Sequence, residues 1–174
     1  MQQVNVDAKT GLLGLLGNPV GHSVSPAIHA CLSSHAEKNL CYLAFPVEKD
    51  LLGDAVKGAF ALGAMGLNVT VPYKKDVMKH LVEIDEKAEQ IGAVNTLVRM
   101  ENGYKGYNTD MPGLYRALCY DGVSLLGRDV VILGAGGVAN AVLCMALSYG
   151  AKQVLIVNRS IEKAETLANR FREN

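Results

Sequence analysis

The spacing of apolar and polar positions changes several times along the 174 residues, and each change marks an element. GLLGLLG (11–17) is a short apolar run closed by glycine and predicts a buried strand. SPAIHACLSSHAEKN (25–39) has helical spacing, with Ile28, Cys31, Leu32 and His35 on one face. CYLAFPV (41–47) predicts a strand ending near Pro46. EKDLLGDAVKGAFALGAM (48–65) predicts a helix with Leu51, Leu52, Ala55, Val56, Ala59 and Phe60 on its apolar side. In LNVTV (67–71), a strand stopped by Pro72, alternation puts Leu67, Val69 and Val71 on one face and Asn68 and Thr70 on the other. Polar, mixed-charge helical sequence runs from about 73 to 91. AVNTLVRM (93–100) and YKGYN (104–108) flank Glu101-Asn102-Gly103, a hairpin signal.

After Asp110 the rhythm becomes helix, strand, helix, strand, helix. MPGLYRALCYDG (111–122) reads as a connecting helix. DVVILG (129–134) and KQVLIVN (152–158) read as apolar strands. GGVANAVLCMALSYG (136–150) and SIEKAETLANRFREN (160–174) read as helices. Alternation of this kind implies parallel strands joined by crossovers. A complete mononucleotide-binding half is β-α-β-α-β, and from 129 onward the chain supplies two strands. The expectation is therefore part of a longer protein, with an exposed apolar sheet edge at 152–157 that favours dimers or aggregation.

Composition narrows the classes. The chain is 49% hydrophobic and 20% charged, with 17 Lys+Arg against 17 Asp+Glu. Net neutrality leaves no nucleic-acid footprint and no basic membrane patch. No apolar run approaches the length of a membrane span. MQQVNVDAKT lacks a basic start followed by an apolar core, so no signal peptide is expected and the cytoplasm is the default location. Cys31, Cys41, Cys119 and Cys144 form no C-x-x-C pair and lie among apolar residues. They read as buried thiols of a reducing compartment, with no metal and no disulfide.

Chemistry concentrates in a few stretches. ILGAGGVANAV places Gly134, Gly136 and Gly137 between a strand and a helix, with Ala135 and Val138 in the loop and Ala139 at the close-packing position. Such a loop turns tightly, lets the backbone approach a pyrophosphate and aims a helix N-terminus at it. An NAD site puts a carboxylate at the end of the next strand, which here ends Asn158-Arg159-Ser160. Arg159 attracts a 2′-phosphate and Ser160 adds a donor while capping the next helix, so the expected cofactor is NADP. Asn68 and Thr70 face either water or a cleft at the strand's C-terminal end. Of Lys74 and Lys75, about 100° apart on a helix, at most one faces such a cleft, and spacing does not choose. A lysine partly withdrawn from water is suited to proton exchange. Asn95 is either a buried structural amide or a ligand contact. Asp110 is either a helix N-cap or a carboxylate serving Lys74. In GNPVGHSVSPAIHA, Ser25 precedes Pro26 as a helix cap would, and Ser23 is a loop hydroxyl.

GNPVGHSVSPAIH, GLNVTVPYKK, IGAVNTLV, YNTD, ILGAGGVA and VNRS, in this order over nearly the whole chain, resemble the shikimate dehydrogenase family. The resemblance implies an α/β chain. Residues 1–110 would form a three-layer substrate-binding catalytic domain, and 111–174 the first part of a Rossmann NADP-binding domain. It implies NADPH-dependent reduction of 3-dehydroshikimate to shikimate, in the pathway to aromatic amino acids, in a cleft between the domains. Ser23 and Ser25 would bind the substrate carboxylate, where His22 merely shapes the loop. Asn68, Thr70, Asn95 and Asp110 would meet the ring hydroxyls. Lys74 would be the acid/base, paired with Asp110. Gly134, Ala135, Gly136, Gly137 and Val138 would hold the pyrophosphate, and Asn158, Arg159 and Ser160 the adenosine phosphate. Glu86 matches a carboxylate near the cofactor. Asn140 stands where the family often has a basic residue, and Met111 where glycine is usual. Family chains continue into segments that add nicotinamide and substrate contacts, so these 174 residues alone are expected to be inactive or weakly active. A homodimer is the expected assembly. The alternatives are a quinate/shikimate dehydrogenase of broader choice and a non-catalytic module that binds a shikimate-type metabolite. Ser-x-Ser at 23–25 leans toward shikimate, and the presence of both Lys74 and Asp110 argues against lost catalysis.

Overall fold

A computed structural model describes residues 6–171, in two compact units: Met1–Glu89 with Ala93–Asn108, and Gln90–Gly92 with Thr109–Asn174. The first unit is built on a mixed sheet. Strands β1 (Gly11–Gly17), β2 (Leu40–Pro46) and β3 (Gly66–Val69) are parallel, with β1 between the other two. Beyond β3 come β5 (Thr96–Arg99) and β6 (Tyr104–Tyr107), an antiparallel hairpin, and then the two-residue β4 (Glu83–Ile84). Met100 N–H donates to the Gly103 carbonyl at 2.8 Å to close the hairpin that the Asn-Gly pair predicts.

Strand alternation then makes three layers. Leu12, Leu16, Leu67, Val69, Leu97 and Tyr104 lie in the main core, with Leu52 and Val56 of α2 (Leu52–Ala61) and with Val77 and Ala88. The opposite face carries Leu13, Leu15, Tyr42 and Ala44, packed with Val20. Helix α1 (Ser25–His35) covers it, His29 stacking on Tyr42 with ring centroids 3.9 Å apart.

Several expectations change here. Helix α1 buries no residue fully, and Ile28 and Leu32 are exposed, because its sheet contact is the His29–Tyr42 stack. Cys31 and Cys119 are exposed and Cys41 half-buried, so only Cys144 is the buried thiol expected; none of the four is in a disulfide among the described residues. Strand β3 stops at Val69, since Tyr73 N–H donates to the Thr70 carbonyl and closes a turn; Val71 is consequently exposed rather than core. The stretch 73–91 is not one helix. Val82 and Asp85 N–H groups pair with the carbonyls of Tyr104 and Gly106, which draws the chain into β4. A short 3₁₀ turn (Asp76–His80) precedes it and α3 (Glu86–Ile91) follows.

The second unit holds α4 (Asp110–Tyr120), β7 (Asp129–Leu133), α5 (Ala139–Ser148), β8 (Gln153–Val157) and α6 (Ile161–Arg170). β7 and β8 are parallel, as the alternation implies, with Ile132 opposite Ile156. Val130, Ile132, Val154 and Ile156 pack with Ala139 and Leu143 of α5 and Leu167 of α6 on one face. Val131, Leu133, Leu155 and Val157 on the other are exposed. The predicted segments at 1–5 and 172–174 lie outside the described residues. Among the described residues no helix is long and apolar enough to cross a membrane.

Candidate functional site

At the C-terminal ends of β1 and β3 the first unit holds a cavity of about 510 Å³, lined among others by Asn18, His22, Ser23, Ser25 and Thr70. Parallel strands bring these ends together, and the chain then turns into α1. Glycine is required at position 17, because a Cβ there would run into the Thr70 and Val20 side chains. The two serines divide the work differently from the expectation. Val24, not Ser25, occupies the N-cap position, and no side chain caps the helix. Ser23 Oγ instead accepts from the Ser25 N–H at 3.2 Å. The Ser25 hydroxyl lies beside the Tyr42 phenol. Burial pushes that phenol up to about 12, against the opposing pull of Ser25.

Tyr42 leads to the amides. Its hydroxyl donates to Asn68 Oδ1 at 2.8 Å. Asn68 Nδ2 donates to Thr96 Oγ1 at 3.3 Å and to the Asn95 carbonyl at 3.4 Å. Thr96 Oγ1 donates to Asn95 Oδ1 at 2.9 Å. Asn68 is half-buried and Asn95 buried. Sequence reasoning missed Tyr42 and Thr96. Thr96 stands directly across from Asn68 in the β3–β5 pairing, so that pairing, had it been known, would have found it.

The structure also separates the two lysines. Tyr73 is buried and donates to the Val47 carbonyl at 2.5 Å, while the Lys74 carbonyl accepts from Val94 N–H at 2.7 Å. Anchored on both sides, Lys74 is half-buried, whereas Lys75 is exposed. In the second unit Asp110 is half-buried as the first residue of α4; Thr109 holds the N-cap position and no side chain caps that helix, contrary to one of the readings of Asp110. Met111 is buried. Glu86 is exposed at the start of α3, where Asp85 Oδ1 accepts from Lys87 and Ala88 N–H groups at 3.1 and 3.4 Å.

The glycine loop joins β7 to α5. Gly134 sits at φ +105°, a left-handed conformation that favours glycine, and its N–H donates to the Val157 carbonyl at 2.7 Å. Gly136 and Gly137 have no such φ, and a Cβ on either meets nothing within 4 Å. Among the described residues nothing therefore demands glycine at these two exposed positions, beside Val138 at the start of the ten-residue α5. Open space at a helix N-terminus fits a pyrophosphate lying against the backbone. Asn158 is engaged at both ends: Oδ1 accepts from Ala135 N–H at 3.1 Å and Nδ2 donates to the Ser160 carbonyl at 2.7 Å. Ser160 is at the N-cap of α6 but makes no capping bond, contrary to expectation. Its hydroxyl donates to Glu162 at 2.7 Å and holds that carboxyl below its ordinary range. Arg159 is exposed and Asn140 half-buried. Among the described residues no group of three or more His, Cys, Asp or Glu is placed to hold a metal ion.

A family model described as the shikimate dehydrogenase substrate binding domain matches residues 15–97. A second, described as shikimate / quinate 5-dehydrogenase, matches residues 120–174. Shikimate dehydrogenase (NADP(+)) of Methanopyrus kandleri is 45% identical over 171 residues, 98% of this chain and 59% of that protein. A solved shikimate dehydrogenase in complex with NADP+ has a TM-score of 0.92 at 41% identity, covering 97% of this chain and 58% of its own. Shikimate 5-dehydrogenase of Listeria monocytogenes, solved with shikimate and NAD, has a TM-score of 0.92 at 34% identity, covering 97% and 60%. The chain thus spans about 59% of the length of the Methanopyrus relative.

Proposed function

Because the chain belongs to the shikimate dehydrogenase family, we propose that it carries the substrate-binding part, 1–110, and the first segment of the NADP-binding part, 111–174, of an NADP-dependent shikimate dehydrogenase. The reaction is the reversible reduction of 3-dehydroshikimate to shikimate, on the route to aromatic amino acids. The observation that carries this reading is the cavity that gathers Ser23, Ser25 and Thr70, with Asn68, two residues before Thr70, bonded to Tyr42 and to the Asn95 backbone carbonyl. Two hydroxyls at the start of an eleven-residue helix suit a carboxylate. Amides and a threonine beside them suit a ring bearing hydroxyl groups.

Each residue then has a task. Ser23 and Ser25 hold the substrate carboxylate. Asn68, Thr70, Asn95 and Asp110 orient the ring hydroxyls. Lys74 gives a proton from Nζ to the carbonyl oxygen as it becomes an alkoxide, and takes it back in the reverse direction. Asp110 is the proposed partner of that lysine. When bound, NADPH supplies the hydride to the carbonyl carbon. Gly136 and Gly137 leave room for its pyrophosphate, Asn158 braces the loop around it, and Arg159 pairs with the 2′-phosphate. Ser160 adds a donor there, and Glu86 borders the cofactor. The free thiols suit a cytoplasmic enzyme, and a homodimer is the proposed assembly.

Calorimetric titration with shikimate, together with turnover with NADP, tests the assignment. The double variant Ser23→Ala/Ser25→Ala should lose shikimate binding by about tenfold or more, the scale of removing hydrogen bonds to a charged group. Lys74→Ala should still bind shikimate but abolish turnover in an active form of the protein. Normal binding by the serine double variant would refute the carboxylate site.

A further inference from the structure

Neither Tyr42 nor Thr96 is among the candidate site residues, although Thr96 stands within IGAVNTLV, yet each grips an amide the proposed function uses. A terminal amide has two near-isosteric orientations, which exchange its acceptor end and its donor end. At Asn68 the surroundings decide between them. The Tyr42 hydroxyl donates to Oδ1 at 2.8 Å, and the Asn95 backbone carbonyl lies 3.4 Å from Nδ2. A carbonyl only accepts, so a flipped Asn68 would set oxygen against oxygen. Thr96 fixes the next amide: its Oγ1 accepts from Asn68 Nδ2 at 3.3 Å and donates to Asn95 Oδ1 at 2.9 Å.

The two hydroxyls are themselves held in place. Tyr42 is 8% exposed, and its ring stacks on His29 at an interplanar angle of 8°. Tyr42 lies opposite Leu13 of β1, while Leu15 of β1 lies opposite Asn68, so the phenol reaches Asn68 across β1 on one sheet face. Thr96 lies opposite Asn68 on β5. Strand register, rather than loop conformation, sets the spacing of the network.

The geometry points to Tyr42 and Thr96 as positioning residues: they lock the Asn68 and Asn95 amides in one orientation for the ring hydroxyls of a shikimate-type substrate. This rests on the function proposed above. Neither residue needs to touch the substrate; each acts through an amide.

The test is a double-mutant cycle on the full chain, read by shikimate titration. Tyr42→Phe keeps the ring on His29 and removes only the hydroxyl. It should weaken shikimate binding about five- to tenfold, the scale of one hydrogen bond. In an Asn68→Ala background the same change should cost less than about twofold, since the group it acts through is gone. Thr96→Val should also weaken binding, and Thr96→Ser, which keeps the hydroxyl, should restore it. In the ligand-free protein, Tyr42→Phe and Thr96→Val should both shift the Asn68 side-chain amide resonances. Losses that add in the double variant would overturn the positioning role. So would unchanged binding in Tyr42→Phe while Asn68→Ala binds weakly, a result that leaves the shikimate reading intact. Unchanged binding in Asn68→Ala would overturn the shikimate reading itself, and the positioning role with it.

Discussion

A phenol that donates to an amide oxygen and lies under an imidazole is shielded from the water that would stabilise its anion. Tyr42 is in that position, and burial raises it from 10.0 to about 12. The folded state thus favours the protonated phenol. Its contribution to stability is complete below about pH 10 and is lost as the pH rises through about 12. Denaturant midpoints measured from pH 9 to 12 should fall more steeply for the parent than for Tyr42→Phe. Tyr104, also raised by burial, contributes equally to both proteins and cancels. Identical slopes would show that the Tyr42 phenol is not held apart from water. At this scale the sequence revealed the serine pair, the polar side of β3 and the lysine pair. It could not reveal Tyr42, hidden in the apolar run CYLAFPV, because the strand period gives its face and not its partner two strands away. Spacing could not separate Lys74 from Lys75; the resemblance chose Lys74, and the difference in their burial depends on the buried Tyr73 and on Val94.

At the scale of elements, what was legible was local. Strand, glycine loop and helix follow one another within about twenty residues, and the structure has them in that order. The hairpin was legible for the same reason. The stretch 73–91 was misread because tertiary pairing to β6 overrode its helical pattern. Asn158 reads as a ligand residue from its motif, and its amide also braces the loop from 23 residues away, which the motif did not tell. The glycines of this loop should separate by function. Gly134→Ala forces a side chain into a positive φ and should cost about 1–3 kcal/mol, seen as a lower Tm. Gly136→Ala meets open space at an ordinary φ, so its Tm should match the parent while its NADP affinity drops at least about tenfold. A Gly136→Ala chain that binds NADP as the parent does would exclude close cofactor approach at this residue.

At the scale of the molecule, stability should be distributed unevenly. The first unit packs both faces of β1: Leu16, at 2% exposure, on one side and Leu15, at 6%, on the other. The second unit packs one face of its two strands, through Ile132, Ala139, Leu143 and Leu167. On the other face Val131 is 57%, Leu133 81%, Leu155 53% and Val157 47% exposed. The alternation of elements after Asp110 already implied an incompletely covered sheet. What it could not supply was the burial of each face, which depends on both helices lying on the same side. Local opening costs less free energy where fewer apolar contacts must break. Hydrogen exchange at neutral pH should therefore release the β7 and β8 amides well before those of β1 and β3. Leu16→Ala, which costs about 2–5 kcal/mol in a closely packed core, should accelerate exchange in β1 and β3 and leave the already fast β7 and β8 amides little changed. Protection in β8 lasting as long as in β1 would mean that one covered face suffices, and that stability is not divided between the two units in this way.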